Sequence, residues 1–75
     1  MIDIKKIADE ADMIINGYAY TRKQNIIQVL NLNDTKSASA LSLDGDVLET
    51  TMDDIELSII LDYYKRDRKY MEEIV

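Results

Sequence analysis

The side chains in this sequence that could do chemistry are its carboxylates. There are 15 Asp and Glu against nine Lys and Arg, a net charge of −6, and there is neither His nor Cys. Seven acids, Asp44, Asp46, Glu49, Asp53, Asp54, Glu56 and Asp62, fall within positions 44–62 without one Lys or Arg among them. Such a run has three chemical uses. Carboxylates can hold calcium, but Asp44-Gly45-Asp46-Val47-Leu48-Glu49 has neither the length nor the ligand spacing of an EF-hand loop. Two carboxylates can work as an acid–base pair, provided an apolar pocket separates their pKa values, and nothing in the sequence builds one. Without His or Cys, the usual general base and the strongest nucleophile are both missing. Spaced carboxylates can also stand in for phosphates and steer association with a basic protein. The plainer use of the same residues is surface solubility and helix capping.

No P-loop, dinucleotide fingerprint or Gly-x-Ser-x-Gly appears, and both glycines, Gly17 and Gly45, fall where a turn or helix stop is needed. The expectation is therefore a non-enzyme with no catalytic residue, no cofactor and no metal. Its candidate partner-binding segment is Asp44, Asp46, Glu49, Asp53, Asp54 and Glu56. The opposite charge cluster, Lys65, Arg66, Arg68 and Lys69, is broken by Asp67 and reads as a solvated helix face balanced by acids one turn away.

Composition narrows the partners. A chain of 75 residues has room for one domain, and the sequence reads as a single small α+β domain over 1–75. With no disulfides and a thin stability margin, association is an expected source of stability, so a homodimer is expected. A net charge of −6 disfavours direct contact with nucleic acid or an anionic membrane. No apolar run approaches the roughly 20 residues of a membrane span, and acids occupy the N-terminal stretch where a signal peptide has its apolar core. A cytoplasmic location follows as an expectation.

The elements that would carry these residues can be read from periodicity. Ile4, Ile7, Ala8, Ala11, Ile14 and Ile15 recur at spacings of three and four, predicting a first helix over 3–15 with Asp3 as N-cap and Asn16-Gly17 as its stop. From Tyr18 the period becomes two. Tyr18–Arg22 reads as a strand with one face covered, Ile26–Leu32 as a central strand, and Ser37–Leu43 as a weaker third. Lys23-Gln24-Asn25 and Asn33–Lys36 are turns by composition. Asp44-Gly45 predicts a type I′ hairpin that pairs Ala40–Leu43 with Asp46–Glu49.

Thr51–Val75 contains no Gly or Pro and predicts one long helix. Its start is signalled in two ways: Thr51 with Asp54 as a capping box, or Asp53 as N-cap with Met52 packing on Leu57. At about 100° per residue, one apolar stripe holds Leu57, Ile60, Leu61, Tyr64, Met71 and Val75, and a second holds Ile55, Ile59, Tyr63, Tyr70 and Ile74. Together they exceed the arc of about 100° that lying on one sheet requires. Either the first helix covers the second stripe, the last turns fray, or the surplus is a contact surface formed by Ile59, Tyr63, Tyr70, Met71 and Ile74.

The predicted fold is α+β: an N-terminal helix, a three- to four-stranded antiparallel meander, and a long C-terminal helix packed on the sheet, as a layer of two helices on one sheet. In being short, acidic, cysteine-free and α+β, the chain is similar in general style to small phage and mobile-element inhibitors, including anti-CRISPR proteins. The expected function is a protein–protein interaction module, an acidic antagonist of a larger basic, nucleic-acid-binding protein. The alternative is a homodimeric structural or regulatory subunit that pairs through its C-terminal helix.

Overall fold

The computed structural model describes the backbone of residues 4–72 and the side chains of residues 5–69. The chain runs through helix α1 (Ile4–Glu10), strands β1 (Met13–Ile15), β2 (Tyr18–Lys23), β3 (Ile26–Asn31), β4 (Ala38–Ser42) and β5 (Val47–Thr50), then helix α2 (Asp54–Glu72). The strands form one antiparallel sheet in sequence order, a meander with β1 and β5 at its edges. The α+β architecture is as the sequence predicts, with one strand more.

That extra strand comes from the segment read as the end of the first helix. α1 stops at Glu10, and Met13–Ile15 pairs with β2, placing Ile15 opposite Tyr18 across a two-residue loop. Asn16 (φ 48°) and Gly17 (φ 84°) both lie in the left-handed region, as a type I′ turn demands. Asn-Gly is thus a hairpin turn and not a helix stop. The backbone groups that a longer helix would have satisfied are instead held by β2: the Asp12 amide donates to the Tyr20 carbonyl (3.0 Å), and the Arg22 amide donates to Asp12 Oδ2 (2.7 Å).

Asp44-Gly45 makes a hairpin too, of a different type from the one expected. Only Gly45 has positive φ (93°); Gly45 donates to the Ser42 carbonyl (3.0 Å), and Ser42 donates to the Asp46 carbonyl (2.8 Å). Those bonds close a three-residue loop with glycine in the left-handed position. The β4–β5 register then shifts between Ala40 and Leu41, leaving Leu48 as the extra residue of a bulge.

The two helices lie on opposite faces of the sheet, so the first helix does not cover the second apolar stripe of α2. Tyr20, Ile27, Val29 and Leu41 point towards α2 and are buried with Met52, Ile60 and Tyr64 as the core, with Leu57 and Leu61 packed against it. Cross-strand register puts them on one face: Tyr20 opposite Val29, and Ile27 opposite Leu41. The alternate positions Ala19, Thr21, Gln28, Leu30, Ala38 and Ala40 face the other way, where α1 brings Ile7 and Glu10.

Candidate functional site

Three buried or half-buried tyrosines fasten α2 to its face of the sheet. Tyr20 Oη donates to the Ile60 carbonyl (2.8 Å), Tyr64 Oη to the Leu43 carbonyl (2.7 Å), and Tyr18 Oη to Glu56 Oε2 (2.8 Å). A buried hydroxyl without a partner costs about 1–3 kcal/mol, so these bonds fix the helix axially as well as holding it down. Burial, and then the hydrogen bond to Glu56, push Tyr18 up to about 12. Burial raises Tyr20 as well.

The acidic segment is divided by the fold. Glu56 Oε2 also accepts from Asn31 Nδ2 (2.9 Å), so this carboxylate ties helix to sheet. Asp53 caps the helix: its Oδ1 accepts the Glu56 amide (2.8 Å), and its carbonyl accepts the Leu57 amide (2.9 Å). Met52, buried in the core cluster against which Leu57 packs, completes the staple, so the second of the two capping signals is the one used. Thr51 does other work, its Oγ1 donating to the Lys36 carbonyl (2.6 Å) and accepting the Ala38 amide (3.0 Å). Asp44 pairs with Arg68 at 2.7 Å, a cation from the cluster read as a solvated face. Asp46, Glu49 and Asp54 are exposed, and among the described residues their carboxylates take no part in the hydrogen bonds and the ion pair that engage Asp44, Asp53 and Glu56.

The second apolar stripe of α2 also divides. With α1 on the far side of the sheet, Ile55 is 75% and Ile59 41% exposed. Tyr63 is half-buried against the core; its Oη accepts from Asn16 Nδ2 (2.6 Å), and the Arg66 guanidinium sits 5.7 Å from its ring centre. Tyr70, Met71 and Ile74, the remaining residues of the predicted contact surface, lie outside the described side chains. Edge strand β5 adds Val47 and Leu48, the latter 53% exposed.

A second feature was not foreseen. On the face opposite α2, a groove of about 740 Å³ lies over the sheet, bounded by Ile7 and Glu10 of α1 on one side and reaching Glu49 and Thr51 beyond β4. Its floor is small and largely apolar: Ala19, Leu30, Ala38 and Ala40, with Thr21 and Gln28. The signal was present in the Ser37–Leu43 alternation, whose alanines all fall on one face. Its meaning depends on α1, which ends at Glu10 and leaves that face open over β3 and β4.

Among the described residues, no group of three His, Cys, Asp or Glu converges as a metal would require, and no helix is long and apolar enough to cross a membrane. No curated protein and no solved structure matches the chain. A family of unknown function, DUF7723, matches residues 1–71. The match covers α1, all five strands and nearly all of α2, and the chain belongs to that family.

Proposed function

We propose that this chain is a non-enzymatic protein-interaction module, an acidic antagonist of a larger basic protein of the kind that binds nucleic acid. The observation that carries this reading is the pairing of exposed apolar and unengaged acidic residues after the β4–β5 turn. Leu48 (53% exposed) adjoins Glu49, and Ile55 (75% exposed) adjoins Asp54. Exposed Leu and Ile beside free carboxylates suit an interface that buries apolar contacts and is steered by charge. The sequence has no His or Cys to favour nucleophilic or general-base chemistry instead.

The fold narrows the earlier candidate segment. Glu56 and Asp53 hold the structure together and Asp44 is paired, so the partner-facing acids are Asp46, Glu49 and Asp54. Changing those three to Lys leaves the capping bond of Asp53 and the Glu56 network in place. The test is affinity capture from the native host with wild type and this triple variant at low and high salt. A captured basic protein that is lost in the variant and in high salt supports the reading. Equal capture by both proteins overturns it.

Ile59 and the half-buried Tyr63 favour a second reading, a homodimer formed through α2. Light scattering at high micromolar concentration decides it, with dimer mass expected for wild type and monomer mass for Ile59→Glu.

A further inference from the structure

The open face of the sheet presents an ordered set of small and polar side chains beside α1. Its residues form two rows across the strands. In one row Ala19 stands opposite Leu30, which stands opposite Ala38; in the next, Thr21, Gln28, Ala40 and Glu49 follow one another from β2 to β5. α1 lies against β2 and leaves the floor over β3 and β4 open. Adjacent strands are about 4.8 Å apart, so from β2 to β4 is about 9.6 Å, within the 8–10 Å at which two packed helices sit side by side. The gap beside α1 therefore has the width of one further helix, and the alanines of β4 let a helix backbone come close.

Charge and size say what kind of helix. Glu10 on the α1 side and Glu49 on the β5 side border the groove, with Lys23 the one cation among its described lining residues. A helix seated between them would bring one flank to each carboxylate and its underside to Leu30, Ala38 and Ala40. A five-stranded face with strands of three to six residues offers roughly 350–450 Å², well below the ~800 Å² per partner of a stable dimer.

We infer that the groove beside α1 receives a basic amphipathic helix of a partner protein, its apolar stripe on Leu30, Ala38 and Ala40 and its Lys or Arg side chains reaching Glu10 and Glu49. This inference rests on the interaction-module reading and moves the contact to the opposite face of the sheet. The preference is for a helix with cations on both flanks of a narrow apolar stripe.

The probe is a synthetic helical peptide of about 14 residues with Leu at i, i+3, i+4 and i+7 and Lys on both flanks, titrated into the isotopically labelled full chain. Amide shifts are expected at Ala19, Leu30, Ala38 and Ala40, and not along α2. Affinity should fall at least tenfold in Ala40→Phe, which fills the groove, and in Glu10→Lys/Glu49→Lys, which reverses its border while leaving the α2-side core untouched. A peptide with Gln in place of Lys should bind at least tenfold more weakly, and Ile59→Ser should bind as wild type does. Shifts centred on α2, or affinity indifferent to both groove variants, would overturn the proposal. So would self-association of the free chain that Ala40→Phe abolishes, since the occupant would then be a second copy. The two failures are separable. If the groove is wrong and the module reading right, a host protein is captured by wild type and Ala40→Phe alike yet lost on changing Asp46, Glu49 and Asp54. If the module reading is wrong, that triple change has no effect either.

Discussion

The two faces of the sheet are built from the same strands to opposite ends. Towards α2, alternate positions carry Tyr20, Ile27, Val29 and Leu41, each at most 1% exposed, and the helix is tied down through tyrosine hydroxyls. Away from it, the intervening positions carry Ala, Thr and Gln, with Leu30 and the exposed Ile14 and Ile26 as their large apolar residues, under a helix of seven residues. In a strand, successive side chains point to opposite faces, so one sequence can specify a packed face and an open one at once. A domain this small has apolar surface enough for one core. It concentrates that surface under α2 and leaves the second face available for contact.

Stability should therefore depend on one face far more than on the other. Ile60→Ala removes a fully buried side chain and should cost about 2–5 kcal/mol, whereas Leu30→Ala on the half-covered face should cost about 1 kcal/mol. Urea denaturation of both variants measures the contrast, and equal losses would mean that the open face is a core in its own right. Next in size is Glu56→Ala. It strips the acceptor from Tyr18 and Asn31, both half-buried, and should cost about 1–2 kcal/mol. A double-mutant cycle with Tyr18→Phe should then show coupling between the two positions.

The same network gives the stability of the closed face a pH dependence. Tyr18 and Tyr20 are both raised in the folded chain, so folding favours their protonated forms. Their contribution is complete below the ordinary tyrosine pKa of 10.0 and is lost as pH climbs through about 12 for Tyr18. Thermal melting should thus fall steadily from pH 10 to 12, and Tyr18→Phe should shallow that fall. The smallest effect belongs to the surface. Asp44→Ala breaks the pair with Arg68, whose side chains are 79% and 38% exposed, and should change stability by less than about 0.5 kcal/mol, and less still in high salt.

Much of the closed face was legible. The stripe Leu57, Ile60, Leu61 and Tyr64 follows from helical spacing alone, and the structure packs it on the sheet. The acidic helix start was legible too, because capping is a local interaction among neighbours in the chain. The first helix was misread for an equally physical reason. Ile14 and Ile15 fit both a period of 3.6 from Ile4 and a β-branched strand ahead of Asn-Gly, and the bonds to β2 that decide between them are made by Tyr20 and Arg22. The candidate acidic site was visible only as a list of residues. Which of its members are spent on capping, on Tyr18 and Asn31, or on Arg68 depends on partners up to 38 positions away.

The sequence by itself determined the alternation of strand positions, the hairpin at Asp44-Gly45, one uninterrupted C-terminal helix and the excess of negative charge. Those properties are set by φ/ψ preference, side-chain period and composition, all of which act within a few residues. Tertiary structure alone decided that the helices take opposite faces. That choice exposes Ile55 and Ile59, engages the half-buried Glu56 in a structural network, and sets Glu10 across from Glu49 on a floor of alanines. Each of these is a relation between distant segments, fixed by strand register and by which face the helices cover.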